Sequence, residues 1–293
     1  MNIYLDTNLW NLLCDRGVDA QESIALLDVK NIKLVLSTHT IYELAETFRS
    51  SKAKASERGR QLFSYIKTFV DLDVPCAKEN TELLAAEMWA LKLRTSTVDG
   101  FLREQDYELL RREVDRLAAG DFDDRADKFI KERTAFASNT RAAQVRHLED
   151  RADIKRQLKS VGTDAIELWL QTASNSKGID ILTFHIQRMF PEAPVIEAME
   201  YAKALLASPV SRIAKGLVRA DLYYNWRCGC HDSTPKDLID DIYHVLNSTH
   251  CEIYATEEKG QLEYSGLLLT TRTRTVIYDG ETPLEQWLVT RTG

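Results

Sequence analysis

Both ends of the chain carry short apolar runs that precede helical patterns. Residues 3–5 and 32–36 are β-prone, and each run is followed by capping residues and a segment of helical period. Residues 251–255 and 275–278 repeat the arrangement near the other end, where helical segments again follow. Strand–helix alternation of this kind predicts a parallel sheet that is flanked by helices.

The middle of the chain has a different pattern, because nearly every segment between residues 50 and 230 has helical period. The candidate helices cover residues 55–71, 79–94, 100–118, 122–159, 163–173, 178–189, 193–206 and 209–226. Breaks are expected where Gly, Pro or small polar residues cluster, and one of them falls near Ser174 to Gly178. The middle of the chain therefore predicts an all-α body.

Together these patterns predict an α/β fold: a three-layer α/β/α domain whose central parallel sheet is interrupted by a large all-α insertion. Residues 1–50 and 232–293 would form the discontinuous core, and residues 51–231 the insertion, whose first one or two helices can belong to the core. Each end segment is too short to bury a sheet alone. We therefore expect Ile3–Leu5 to share a sheet with Ile253–Ala255.

Composition is ordinary for a soluble globular protein, and it limits the partners of the chain. No apolar run approaches the roughly 20 residues that span a bilayer, and the first residues lack an export signal, so we expect a cytoplasmic protein without membrane contact. Five irregularly spaced cysteines favour reduced thiols over a disulfide framework. A net charge of -7 argues against a general polyanion-binding surface, although a local basic patch can still hold a strand.

Four acidic residues share a position relative to the predicted strands. Asp6 ends the first strand, and Glu43 lies in the helix after the second. Asp241 lies in an apolar helix before the third strand, and Glu258 follows that strand. Ligands of open parallel sheets bind beyond the carboxyl ends of the strands, where four carboxylates repel one another unless a cation joins them. Mg²⁺ or Mn²⁺ prefers such oxygen ligands and supports phosphodiester hydrolysis.

The order of these motifs resembles the PIN-domain nuclease family. The residues that carry the resemblance are Tyr4–Asn8, Leu36–Leu44, Asp237–His244 and Ile253–Lys259. The resemblance implies a PIN-like three-layer fold and a Mg²⁺ or Mn²⁺ site at the four acids. It also implies endonucleolytic cleavage of RNA in preference to DNA, with a 5′-phosphate and a 3′-hydroxyl as products.

Two assignments within this pattern stay open. The family has Asp at the last acidic position, where this chain has Glu258 with Glu257 beside it. The third acid could be Asp240, but the Asp-x-x-His spacing to His244 favours Asp241.

The roles of these residues follow from the resemblance and from metal chemistry. Asp6 is the expected central ligand, with Glu43 and Asp241 completing the metal sphere directly or through water. Glu258 would hold a second ion or position the attacking water. The expected orienting groups around them are Asn8, Thr256, Asp237, Asp240 and His244. Simpler interpretations are helix caps, first-turn acids favoured by the helix dipole, and a hydrogen-bonded structural histidine.

A basic stretch in the predicted insertion is the candidate for contact with nucleic acid. Its residues are Arg141, Arg146, Arg151, Lys155 and Arg156. A solvated helix with i,i+4 ion pairs is the simpler interpretation. Tyr223, Tyr224 and Trp226 could likewise stack bases or pack between helices. The resemblance is also compatible with a protein partner such as an antitoxin, and the oligomeric state is open.

Three rival hypotheses come from other classes of protein. A PIN-like scaffold without catalysis would bind nucleic acid or protein, and convergence of the carboxylates distinguishes it from an enzyme. A zinc site at Cys228-Gly229-Cys230-His231 has C-x-C spacing, with His250-Cys251 as its only remote pair. An aspartate phosphatase would use Asp6 as nucleophile, but it needs a second Asp where this chain has Asn8.

Overall fold

The computed structural model describes residues 1–132, 134–135, 142, 152–230, 238–269, 273–278 and 280–292. Its strands are β1 (Asn2–Leu5), β2 (Lys33–Ser37), β3 (Cys76–Ala77), β4 (Ile253–Thr256) and β5 (Arg274–Ile277). The helices of the first half are α1 (Thr7–Arg16), α2 (Ala20–Asp28), α3 (Thr38–Glu46), α4 (Ala55–Val70), α5 (Asn80–Leu93) and α6 (Glu104–Ala118). Those of the second half are α7 (Ala152–Ser160), α8 (Ile166–Met189), α9 (Val195–Ala207), α10 (Arg212–Cys230), α11 (Leu238–Asn247), α12 (Lys259–Leu268) and α13 (Leu284–Thr292).

The five strands form one parallel sheet in the order β3-β2-β1-β4-β5. Ile3 pairs with Ile253 and Leu5 with Ala255, so the two ends of the chain share the sheet as predicted. The chain steps outwards from β1 through β2 to β3 and then returns to the other side of β1 with β4 and β5. This reversal between β1 and β4 is a topological switch point, the place where open parallel sheets bind ligands.

Successive side chains along a strand point to opposite faces of the sheet, and both faces are buried. Ile3 and Leu5 pack with one hydrophobic cluster, whereas Tyr4 between them packs with the other. Helices α1, α2, α4, α6 and α13 contribute to the first cluster. Helices α5 and α7–α12 contribute to the second. The fold is therefore a three-layer α/β/α arrangement around a parallel sheet, which confirms the predicted fold class.

The long middle segment of the chain contributes a strand and several helices to the sheet layers. Strand β3 pairs with β2 through Leu36 and Cys76, although the sequence predicts an all-α insertion over residues 51–231, whose first one or two helices can belong to the core. Helices α4 and α6 of the same segment cover one face of the sheet, and α5 covers the other. A two-residue strand has no readable period, so the sequence pattern gave no sign of β3.

Helix α8 corrects a predicted break. The sequence predicts separate helices on either side of Ser174 to Gly178, but α8 runs unbroken from Ile166 to Met189. A Cβ atom built at Gly178 would lie 3.3 Å from Leu206 and 3.5 Å from Val218. The glycine therefore lets α8 pack closely against α9 and α10, and tertiary packing outweighs its low helix propensity.

In the described part of the chain, no helix combines the length and the apolar character needed to cross a membrane.

Candidate acidic site at the edge of the sheet

The candidate site lies where the parallel strands end. Asp6 directly follows β1, Thr256 is the last residue of β4, and α3 begins directly after β2. Helix α11 lies just before β4 in the chain and brings Asp241 and His244 to the same edge. The fold thus gathers acidic residues from both ends of the chain at the switch point.

Asp6 is the most deeply buried of the four predicted acids, with only 2% of its surface exposed. Its Oδ1 accepts a 2.9 Å hydrogen bond from the backbone amide of Leu9 and so caps α1. Its Oδ2 is buried without a hydrogen-bond partner among the described residues. The pKa of Asp6 is raised to about 7, chiefly by burial. The Thr256 hydroxyl and the Leu9 amide oppose this rise, and the nearby carboxylates of Glu258 and Glu257 add to it. A cation at Oδ2 would favour the ionised form of the carboxyl group and offset the cost of its burial.

Glu258 and Asp241 are linked through one buried amide. The Nε2 group of Gln261 donates to Asp241 at 3.2 Å and to Glu258 at 3.3 Å. Gln261 is only 2% exposed, and its carbonyl oxygen accepts a hydrogen bond from the hydroxyl of Tyr254. Asn8 donates to the other oxygen of the exposed Glu258 carboxylate. These contacts link Asp241 of α11 to Glu258, the residue that precedes α12.

Glu43 belongs to a second hydrogen-bond network, which includes Thr7 of α1. Its carboxylate accepts hydrogen bonds from the hydroxyl of Thr7 and, at 2.7 Å, from Nε2 of His244. The other ring nitrogen of His244 lies 2.8 Å from the hydroxyl of Tyr4, which also contacts Ser37. Burial would raise the pKa of Glu43, but the charge and hydrogen bond of His244 outweigh it, so the pKa lies below its usual value. Glu43 is therefore kept ionised and fixed in orientation.

His39 completes this second network. Its Nε2 lies 3.5 Å from Glu43 and donates to the backbone carbonyl of Asp240 at 3.2 Å. The rings of His39 and His244 meet edge to face, with their centroids 4.4 Å apart. His39, Glu43 and His244 offer ligand atoms that lie within 4.8 Å of one another. In the described residues, this trio is the group that reaches such spacing, rather than three of the four predicted carboxylates.

Asp6 and the histidine trio differ in the donor atoms that they offer. Asp6 offers a buried carboxylate oxygen without a hydrogen-bond partner among the described residues, and the carboxylate of Glu258 lies near enough to raise its pKa. In the trio, the nitrogen atoms that face Glu43 already take part in hydrogen bonds, to Glu43 itself and to the carbonyl of Asp240. The hydrogen bond from His244 fixes the position of the Glu43 carboxylate.

The predicted orienting residues contact different members of the two networks. Asn8 contacts Glu258, and Thr256 accepts a 3.1 Å hydrogen bond from the amide of Glu258. His244 contacts Glu43, and Asp240 contributes its carbonyl oxygen to His39. Asp237 lies outside the described residues.

Several residues of the two networks were not predicted from the sequence, among them Tyr4, Thr7, His39 and Gln261. His39 and Glu43 stand four positions apart in α3, so the spacing alone could have placed them on one helical face. Gln261 follows Glu258 by three positions and could have been found in the same way. The contact between Tyr4 and His244 joins residues 240 positions apart and left no local signal.

The other candidate residues are not part of these two networks, or they lie outside the described residues. Lys155 and Arg156 are on α7, whereas Arg141, Arg146 and Arg151 fall outside the described residues. Tyr223 and Trp226, considered for base stacking, are 3% exposed and belong to the helical core.

The cysteine pair considered for zinc lies at the end of α10. Cys228 is buried in the helical core, and the thiol of Cys230 donates to the carbonyl of Leu158 at 3.0 Å. Residues two positions apart in a helix point in different directions, so these thiols do not face each other.

No protein-family model, curated protein or solved structure matches this chain.

Proposed function

We propose that the protein is a metal-dependent endonuclease of the PIN type that hydrolyses phosphodiester bonds, with RNA preferred over DNA. The observation that carries the proposal is Asp6. Its carboxylate is buried at the switch point of the sheet, its Oδ2 has no hydrogen-bond partner among the described residues, and further carboxylates lie close by. A buried carboxylate in this setting is stable when a cation accompanies it.

Asp6, Asp241 and Glu258 would hold Mg²⁺ or Mn²⁺, with Glu43 joining directly or through water. Such an ion supplies charge stabilisation at the scissile phosphate and lowers the pKa of bound water. Gln261 keeps the Asp241 and Glu258 carboxylates aligned, because one amide donates to both. His244 and Thr7 would keep Glu43 ionised, because both donate to its Oε2. We also propose that the expected products carry a 5′-phosphate and a 3′-hydroxyl.

A second candidate function is a scaffold that binds nucleic acid or protein without cleaving it. Two observations favour it: Glu43, Asp241 and Glu258 already accept hydrogen bonds from neighbouring side chains, and among the described residues no three of the four predicted carboxylates lie within 4.8 Å of one another. Such bonds can stabilise acidic groups without an ion. Metal-dependent activity distinguishes the two candidates, since a scaffold has none.

Cleavage of single-stranded RNA, with and without metal, tests the proposal. Asp6→Asn keeps the shape and the helix cap but removes the charge that would bind the cation. We expect a loss of at least about 100-fold in cleavage rate, in line with the several kcal/mol that a catalytic metal supplies. EDTA should reproduce the loss, and added Mn²⁺ should restore the native protein but not the variant. Asp19→Asn is the matched control, because Asp19 caps α2 through the same kind of hydrogen bond. Cleavage that persists in EDTA would leave the scaffold as the better account.

A further inference from the structure

Two histidines and one carboxylate converge between α3 and α11. His39 and Glu43 stand four positions apart in α3, and His244 comes from α11. The Nε2 atom of His39 lies 3.5 Å from one oxygen of Glu43, and the Nε2 atom of His244 lies 2.7 Å from the other. Each residue offers one ligand atom, and the three atoms lie within 4.8 Å of one another. The fold thus joins donor atoms from both ends of the chain in one small cluster.

The spacing of this cluster is close to that of ligands around a single ion. Bonds of about 2.0–2.2 Å from Zn²⁺ to nitrogen and oxygen, at tetrahedral angles, place two ligand atoms roughly 3.3 Å apart. The distances from Glu43 to His244 and to His39, 2.7 and 3.5 Å, lie on either side of that value. An ion would replace the hydrogen bond between His244 and Glu43 with a bond to each of them, and the Nε2 proton would be released to solvent.

The orientation of His244 is set from the side of the ring that faces away from Glu43. Its Nδ1 atom lies 2.8 Å from the hydroxyl of Tyr4, a residue that is fully buried. That hydroxyl lies 2.7 Å from Oγ of Ser37, which accepts a 3.0 Å hydrogen bond from the backbone amide of Thr40. Histidine ligands of metal ions commonly use their second ring nitrogen in this way, because the partner fixes the ring and its tautomer.

The cluster combines a fixed interior with an open side. The ring of His39 is fully buried and meets the rings of His244 and Tyr243 edge to face. The side chain of Glu43 is 24% exposed, so an ion can reach the cluster past this carboxylate. The carboxylate of Asp240 is 32% exposed and lies 3.9 Å from Nε2 of His39, so it adds negative charge near the cluster. Rings that packing already orders lower the cost of binding an ion.

We propose that His39, Glu43 and His244 bind Zn²⁺ at a site separate from the Mg²⁺ or Mn²⁺ site proposed at Asp6. Imidazole nitrogen suits Zn²⁺, whereas the ions of the proposed hydrolytic site prefer oxygen ligands. Bound Zn²⁺ would tie α3 to α11, which belong to opposite ends of the chain. It would also occupy Glu43, which the proposed hydrolytic ion would otherwise use directly or through water. Zinc binding itself does not depend on nuclease activity.

Calorimetric titration of the Asp6→Asn protein with Zn²⁺ tests this proposal, since the substitution removes the charge of the other proposed site. We expect this protein to bind Zn²⁺. Adding His39→Gln should weaken the affinity about 100-fold or more, because even an orienting partner of a ligand contributes 10–100-fold. The glutamine amide can still donate to the Asp240 carbonyl but removes the ligand nitrogen. His185→Gln is the matched control, because His185 also lies 3.2 Å from a carboxylate, that of Asp221.

A second measurement uses the native chain, so it does not depend on the folding of a variant. The imidazole ¹⁵Nε2 signals of His39 and His244 should shift when one equivalent of Zn²⁺ is added, and that of His185 should not. The proposal is overturned if the Asp6→Asn protein binds no Zn²⁺, if His39→Gln leaves its affinity unchanged, or if the signals of His39 and His244 do not move. Metal-dependent RNA cleavage would stand in each case, so this failure is distinct from failure of the nuclease proposal.

Discussion

At the residue scale, Asp6 stabilises the fold through its helix cap, whereas burial of its ionised carboxylate costs free energy. Its Oδ1 caps α1, while burial and the neighbouring Glu258 raise its pKa to about 7. The unfolded chain has an Asp pKa near 4, so the native state binds the proton more tightly. The native state therefore loses stability as pH rises from about 4 to about 7, and the loss is absent below that range.

The metal-free protein should reveal this cost as a pH-dependent effect of Asp6→Asn. The amide can still cap α1 but carries no charge, so the variant should gain stability over the native protein as pH rises from 5 to 8. Chemical unfolding in EDTA at several pH values measures the difference, which we expect to reach a few kcal/mol. Asp19→Asn, at an exposed cap of α2, should give a smaller change. A constant difference across this range would show that the Asp6 carboxylate is not strained.

Loss of the Gln261 amide should weaken the proposed metal binding. Gln261→Met keeps the length of the side chain but removes the amide that donates to Asp241 and Glu258. Partners of this kind commonly contribute 10–100-fold to metal affinity, and we expect a loss of about 10-fold in Mn²⁺ affinity by calorimetry. The exposed Gln171 of α8 provides the control substitution Gln171→Met. Unchanged Mn²⁺ affinity in Gln261→Met would remove Gln261 from the site.

At the element scale, two helical glycines have opposite packing environments. A Cβ atom at Gly229 in α10 would lie 2.7 Å from Leu158 Cδ1 and 3.0 Å from its Cβ, so α7 would have to move. Gly266 in α12 has no atom within 4 Å of such a Cβ. The same substitution is therefore expected to have opposite effects in the two helices.

Thermal or chemical unfolding of the two alanine variants checks this contrast. Gly229→Ala should destabilise the protein by about 1–3 kcal/mol, since overpacking outweighs the gain in helix propensity. Gly266→Ala should stabilise it by roughly 0.5–1 kcal/mol through propensity alone. Equal effects at both positions would mean that α7 and α10 are not tightly packed at Gly229.

The elements also show what the sequence pattern can and cannot reveal. Strand β1 was predictable because three buried apolar residues precede a capping Asp6. Strand β3 was not, because two residues carry no period. The positions of the four acids relative to the strands followed from local pattern. Their hydrogen-bond partners did not, because Tyr4 and His244 meet only through tertiary packing.

At the scale of the whole molecule, the site depends on pairing between the two ends of the chain. Strand β1 supplies Asp6 and strand β4 supplies Thr256, and the two strands pair directly. The middle segment adds the edge strand β3 and helices on both faces of the sheet. The fold thus brings together acids that are far apart in the sequence, at the position where parallel sheets bind ligands.

The most direct test of the central claim is a crystal structure of the native protein soaked in Mn²⁺, with anomalous scattering used to locate the ion. We predict a peak within roughly 2–2.5 Å of Asp6 Oδ2, the usual range for oxygen ligands of divalent cations, with Asp241 or Glu258 also in contact. The Asp6→Asn protein should show no peak at this position. A native structure without a peak at Asp6, or with the ion bound only by His39, Glu43 and His244, would contradict the account.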